Sequence, residues 1–433
     1  MYRKLFTVIL VVLTLSGILA SGSSPTFAQA ANTTSTGAWV DSITFNAAAT
    51  DGEAIGLLQA DLLDIYADGV SDPALFQALQ ADPDLTYSEG YGSYNELTFN
   101  PVGPEFNDGR LNPFSNRKLR EAINKLIDRR YIVENIYGGL ATPRFLPFSA
   151  ISGERERYQD TIWDLEYQYR YNPTAAISEI ATQMLLMGAT KNTDSKWQYN
   201  DVPIVVIFLI RTEDLRRPIG DYVADQLELA GFTVDRQYKT STEARSLWIG
   251  SDPAEGLWHI YTGGWVTTSI SRDDSSNFSF FYLPYDYPTN PWLAYTPTPE
   301  FEDVALRLRD RDFTSMDVRD ALFKTALDLC LEDSVRVWIV DQHSSYPRRA
   351  DTLIASDLAS GTNAQAWPYT ARFAEVEGGS LRMAMPMITV DPWNPLNGSN
   401  WVYDANVYRA TQDYGKWAGE VARIFSYSPF ASR

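Results

Sequence analysis

The sequence predicts an α/β protein with more than one sheet, at least one of them parallel. Three observations carry this. First, Pro203 to Ile210 is a continuous apolar run, Arg217 to Ala230 places Ile219, Val223, Leu227 and Ala230 on one helical face, and Phe232 to Tyr238 follows Gly231 as a second strand. Strand, helix and strand within about 36 residues form a βαβ unit, which implies parallel strands and a right-handed crossover. Second, short apolar strands alternate with amphipathic helices along most of the chain. Third, 433 residues with 45% hydrophobic and 21% charged content are ordinary globular material, enough for two or three cores.

The elements follow in order. Trp39 to Asn46 reads as a strand on Val40, Ile43 and Phe45, Gly52 to Ala60 as a short helix, and Leu62 to Tyr66 as a buried strand. Asp72-Pro73 opens a helix carrying Leu75, Phe76 and Leu79. Tyr94 to Asn100 alternates polar and apolar positions, a period-two strand. Asn116 to Asp128 is the clearest helix, with Leu119, Ala122, Ile123, Leu126 and Ile127 in one stripe and Ser115 as the expected N-cap. Tyr131 to Tyr137 is a helix stopped by Gly138-Gly139, and Asn172-Pro173 opens another that runs to Met187, with Gly188 past its end. After the βαβ unit come a strand at Leu257 to Tyr261, helices at Phe301 to Leu308 and Val318 to Leu331, a strand at Val335 to Val340 and a late strand at Leu381 to Met387.

Composition removes several functions. The net charge is −19, which disfavours a nucleic-acid partner, because phosphate backbones are bound by clustered Lys and Arg. One cysteine, Cys330, forbids an intrachain disulfide and reads as a small core hydrophobe on a helix face. With only His259 and His343 beside it, there is little material for a zinc site, and His259 next to Trp258 reads as a core histidine. No Gly-x-Ser-x-Gly elbow, Gly-x-Gly-x-x-Gly fingerprint or P-loop is present. Carboxylate pairs such as Asp273-Asp274 occur at the rate expected from 55 acidic residues. No catalytic residue, metal or cofactor is expected.

Arg3 and Lys4, the apolar run Leu5 to Leu19 and Ala28-Gln29-Ala30 have the layout of an export signal cleaved near Ala30-Ala31. The apolar run, about 15 residues, is shorter than the roughly 20 needed to span a bilayer. No cysteine stands near this point to carry a lipid anchor.

The segment singled out for binding is Tyr261 to Trp265. A strand leads into Gly263 and Gly264, then a tryptophan, with Arg272, Asp273 and Asp274 beyond. Glycines let backbone approach a ligand, tryptophan is a flat apolar wall, and Arg and Asp pair with a carboxylate and an amine. Tyr94 and Asn100 are expected to reach the same cleft. Trp393 and Trp401 are weaker candidates, with core roles expected.

These segments, in this order, resemble the family 5 solute-binding proteins of ABC importers, the oligopeptide, dipeptide and nickel-binding group. The resemblance rests on Trp39 to Phe45, Ala54 to Tyr66, Asp82 to Leu85 with Leu97 to Asn100, Arg117 to Arg129, Gly138 to Pro143, Tyr171-Asn172-Pro173 and Gly263-Gly264-Trp265. Two features depart from the family pattern. Val266 to Ser269 stands where most members soon place an aspartate that receives a peptide's α-amine, and Gly379 to Pro386 with Asp391 to Pro395 resembles the segment that usually opens the chain. The chain therefore reads as a circularly permuted and truncated member.

The resemblance implies a two-lobed type II periplasmic-binding fold with its smaller third domain missing. The expected division is residues 1–30 as signal, 31–100 and 336–405 as one lobe, 101–335 as the ligand-binding lobe and 406–433 as an unassigned tail. Tyr94 to Asn100 and Val335 to Val340 are the expected crossings. The implied role is capture of a peptide or similar small solute outside the cytoplasm, by a monomer that delivers it to ABC permease subunits. A secreted carbohydrate-active enzyme with an aromatic cleft and a non-binding truncated remnant are the alternatives.

Overall fold

Two mixed sheets organise the chain. The computed structural model describes residues 38–267, 271, 273–390, 399 and 401–411; the expected export signal, Arg272 and Trp393 lie outside the described residues. In chain order the strands of the two sheets are β1 (Ser42–Ala47), β2 (Ile65–Tyr66), β3 (Leu85–Gly90), β4 (Ser93–Phe99), β5 (Ala141–Pro143), β6 (Val205–Arg211), β7 (Thr233–Lys239), β8 (Ile260–Val266), β9 (Arg336–Gln342), β10 (Ser344–Arg349) and β11 (Ser380–Met385). The five-stranded sheet has the order β1-β11-β2-β10-β3, and the six-stranded sheet β7-β6-β8-β4-β9-β5.

The βαβ unit is present as read. β6 and β7 are parallel, with Val205 opposite Thr233, and the helix Arg216–Leu229 joins them. The late segment enters the first sheet: β11 lies parallel to β1, Leu381 opposite Ile43, and parallel to β2 on its other side. The runs expected to cross between lobes both lie inside the six-stranded sheet. The chain passes between sheets just beside them, at Tyr91-Gly92 and at His343. A side chain at Gly92 would put its Cβ 2.4 Å from the Ala359 carbonyl oxygen and 2.6 Å from that of Thr267, so this passage has room only for glycine.

Local chemistry explains three departures from the sequence reading. β4 has no wet face: all seven of its residues are buried. Leu97 and Phe99 enter one apolar core with Ile123, Phe208 and Val223, while Tyr94 joins another with Phe281, Phe323 and Trp338 on the opposite face. Glu96 on that face accepts from Thr98 Oγ1 at 2.7 Å and Arg336 Nη1 at 2.9 Å, so protein groups replace water. The stripe helix runs Arg117–Leu126 and is capped by Asn116, whose Oδ1 accepts from Lys118 N at 2.9 Å. Ser115 instead donates to the Asn112 carbonyl at 2.8 Å. The segment after it is a short helix, Arg129–Tyr131, continuing as π-helix over Ile132–Ile136.

Cys330 and His259 are core residues. Cys330 is buried in the helix Met316–Asp333. The His259 ring lies against Phe106 and Phe114, and its Nδ1 accepts from Ile207 N at 3.1 Å. Burial pushes its pKa down to about 3, so the ring is neutral.

Candidate functional site

The parallel strands of both sheets end at one cleft, the place where open α/β sheets bind ligands. From the five-stranded sheet, Asp68 and Gly69 follow β2 and Pro386 follows β11. From the six-stranded sheet, Arg211 ends β6 and Tyr261 to Val266 belong to β8. The cavity enclosed has a volume of about 450 Å³, within the usual range for small-molecule sites. An adjoining cavity of about 220 Å³ shares Asp51, Gly69, Glu213, Asp214 and Gln342 with it.

One wall is aromatic. Trp265 is half-buried and meets Phe281 edge to face at 5.2 Å and Tyr287 at 5.6 Å between ring centroids. The Arg336 guanidinium lies 5.2 Å from the Trp265 ring and 4.3 Å from that of Trp292. These contacts hold the indole in one orientation. Trp248 stacks on Tyr261 at 4.6 Å. Trp401 comes from the other sheet's side; it packs both on the cluster around Leu381 and Met383 and on the one containing Trp248 and Tyr261. It therefore spans the cleft, where a core role was expected.

The glycines before Trp265 have a steric cause. β8 pairs antiparallel with β4, Gly263 opposite Glu96 and Gly264 opposite Asn95. A Cβ at Gly263 would lie 1.9 Å from Glu96 Oε1. The buried Glu96–Arg336 pair thus occupies the space a side chain would need, and the bare backbone of β8 forms part of the cavity surface.

Charges gather at the ends of β2 and β6. Arg216 clasps Asp214 through Nε at 2.8 Å and Nη2 at 2.6 Å. Burial alone would raise the Asp214 pKa, but the Arg216 charge and hydrogen bonds hold it below the ordinary value. Arg211 donates from Nε to Glu213 Oε2 at 2.8 Å and from Nη1 to the Tyr261 hydroxyl at 3.0 Å. Asp51 and Asp68 behave differently. Burial in the cleft, with the charges of Asp68 and Asp214 nearby, raises the Asp51 pKa well above the carboxylate range. Burial takes Asp68 up to about 7, against a lowering hydrogen bond from Gly69 N.

Of the residues singled out in the sequence, Tyr94, Tyr261, Gly263, Gly264, Trp265 and Asp274 line this cavity. Asn100 does not. Its Nδ2 donates to the carbonyls of Pro253 and Trp258, both at 3.0 Å, and ties down the end of β4. Asp273 is likewise engaged elsewhere, accepting from Arg319 Nη2 at 2.9 Å in a network with Glu154. Asp274 accepts from Ser152 Oγ. The sequence reading missed Asp51, Asp68, Arg211, Asp214 and Arg216. One signal for them was available: Arg211 to Asp214 directly follows the apolar strand of the βαβ unit, at its carboxyl end. Among the described residues no cluster of three or more His, Cys, Asp or Glu side chains is placed to hold a metal ion.

The described architecture matches solved structures. The nickel-binding protein NikZ from Campylobacter jejuni, in complex with Ni(L-His), aligns at a TM-score of 0.56 and 15% identity, covering 75% of this chain and 60% of that one. The oligopeptide-binding protein AppA from Bacillus subtilis, with a nonapeptide, aligns at 0.55 and 14% identity over 72% of this chain and 57% of its own. A periplasmic oligopeptide-binding protein from Thermotoga maritima, with mannohexaose, aligns at 0.58 and 16% identity over 76% and 61%. The chain spans about 60% of the length of these structures, and at such identities the likeness is one of fold: two-lobed, of the type II periplasmic-binding class. No curated protein matches the sequence. The model of the bacterial extracellular solute-binding proteins, family 5 Middle, matches residues 32–287, more than half of the sequence, and the chain belongs to that family.

Proposed function

We propose that this protein captures a small organic solute outside the cytoplasmic membrane and presents it to the permease subunits of an ABC importer. The observation that carries the reading is the cleft itself: parallel strands of two separate sheets converge on one cavity whose walls come from both. Neither wall closes the site alone, so a solute held there joins the sheets and favours the closed arrangement, the logic of hinge closure. Of the described residues, those of 38–100 and 336–405 form one lobe and those of 101–335 the other, apart from the strands β4 and β9, which pair with the second lobe next to the two crossings. The ligand contacts are Tyr94, Tyr261, Gly263, Gly264, Trp265 and Asp274, joined by the charged groups at the ends of β2 and β6. The chain acts as a monomer, makes and breaks no bond, and is exported with cleavage near Ala30-Ala31. Among the described residues no helix is long and apolar enough to cross a membrane.

The nonapeptide, mannohexaose and nickel–histidine complexes of the structural relatives define the solute classes to screen. The test is thermal unfolding of the exported chain with pooled peptides, oligosaccharides and metal–histidine complexes. A true ligand at 100 times its dissociation constant adds about 2.7 kcal/mol of stability. A clear rise in midpoint with one class is expected. No rise with any class would contradict solute capture and favour a non-binding remnant.

A further inference from the structure

We propose that Arg336 is a positioning residue of the cleft: without touching the solute, it sets the orientation of the Trp265 wall from beneath. This rests on the solute-capture reading of the same cleft and adds a residue that acts on it from outside the cavity.

Arg336 opens β9 and stands opposite Thr98 in the antiparallel pairing with β4. Its side chain is fully buried and does not line the cavity. Three residues that do line the cavity meet at its guanidinium, each from a different element. Glu96 of β4 accepts from Nη1 at 2.9 Å. The Phe281 carbonyl, in the helix Asn277–Tyr282, accepts from Nε at 3.0 Å. The Trp265 ring of β8 lies 5.2 Å from the guanidinium, and the Trp292 ring 4.3 Å from it. Trp265 is in turn set edge to face against Phe281. The indole of the cleft wall thus rests on a cation that is itself fixed to a strand and to a helix.

Stability does not account for this arrangement. A buried ion pair loses hydration that its mutual attraction repays only when the remaining hydrogen bonds are met. Arg336 Nη2 is buried with no hydrogen-bond partner. Apolar side chains of similar volume would fill the space without that cost. What an apolar residue cannot do is tie together a carboxylate, a helix carbonyl and two indole rings. Lysine cannot either, since it supplies a point charge where arginine presents a planar fork of donors. The orientation matters for binding because every rotamer left open in the free wall is a freedom lost when the solute arrives.

Fluorine NMR of the full chain labelled with 5-fluorotryptophan tests this, the Trp265 resonance being the one lost in Trp265→Phe. A single sharp Trp265 line is expected in the parent, and two lines in slow exchange would overturn the proposal without any change at Arg336. Arg336→Lys keeps a charge for Glu96 and removes the fork. Its Trp265 line should split or broaden while the circular dichroism spectrum is retained. Glu96→Gln combined with Arg336→Met removes both charges together and should do the same, which keeps the test open if the lysine variant does not fold. The peptide, oligosaccharide or metal–histidine pool that raises the thermal midpoint of the parent should bind each folded variant at least ~10-fold more weakly. A sharp, unshifted Trp265 line in a folded variant, or a loosened ring with unchanged affinity, would overturn the positioning role while leaving solute capture intact. Binding of no pool by the parent would overturn solute capture, whereas the Trp265 line reports on Arg336 with no solute present.

Discussion

Gly263 shows how a residue without a side chain is required by chemistry elsewhere. Its missing Cβ is the space taken by Glu96 Oε1, at 1.9 Å from where that Cβ would stand. Glu96 cannot retreat, because Arg336 and Thr98 hold it in the interior of the sheet. Overpacking of this kind costs about 1–3 kcal/mol. Gly263→Ala is expected to lose about that much, read as a lower urea midpoint with an unchanged slope; a loss under about 0.5 kcal/mol would show that Glu96 moves freely. Asp68 gives a second residue-scale test. Its carboxyl is raised from an unfolded value near ~3.9 to about 7 by burial in the cleft. The folded chain therefore binds this proton more tightly than the unfolded chain does. The stability due to Asp68 is fully present below about pH 4 and is lost as pH rises through about 7. Unfolding midpoints measured from pH 4 to 8 should fall less steeply in Asp68→Asn than in the parent. Parallel profiles would place the Asp68 carboxyl at an ordinary pKa.

At the scale of elements, the helix Arg117–Leu126 depends on its cap. Asn116 Oδ1 accepts from Lys118 N and Leu119 N, and its Nδ2 donates to Gln183 Oε1 at 3.0 Å. Asn116→Ala should cost about 1 kcal/mol in chemical denaturation, and Ser115→Ala, which removes no cap, distinctly less. The reverse order would mean that Ser115 is the cap. Elements whose sequence pattern and environment agree were legible. The helix Pro173–Leu186 is capped by Asn172 as read, because a polar cap, a first-turn proline and a terminal glycine act within one local stretch. β8 was harder. It was expected at Leu257 to Tyr261 but runs Ile260–Val266, because Gly263 and Gly264 look like a break in sequence and are instead paired residues of a crowded strand. β4 carried an alternation that promised a wet face, and only the arrival of Arg336, distant in sequence, makes its polar side a buried one.

For the molecule as a whole, the aromatic part of the cleft was readable because Tyr261 to Trp265 is a single continuous segment. The charged part was not, since Asp51, Asp68, Arg211 and Asp214 come from the ends of separate strands and the start of a helix, and only the two-sheet arrangement brings them to one cavity. Asn100 and Asp273 stand outside the cavity lining for the converse reason: each has carbonyls or a guanidinium at hand that sequence spacing does not reveal. In the proposed function a solute sits in this cavity against Trp265. Truncating a buried aromatic wall of a binding site commonly costs 2 kcal/mol or more, so Trp265→Ala should weaken binding at least ~30-fold with the circular dichroism spectrum retained. The most direct measurement is native mass spectrometry of the full chain and of Trp265→Ala, each titrated with the solute pool that raises the thermal midpoint. A one-to-one adduct is expected on the parent chain, and its loss, at the same solute concentration, from the folded variant. An adduct of undiminished affinity on Trp265→Ala would contradict it.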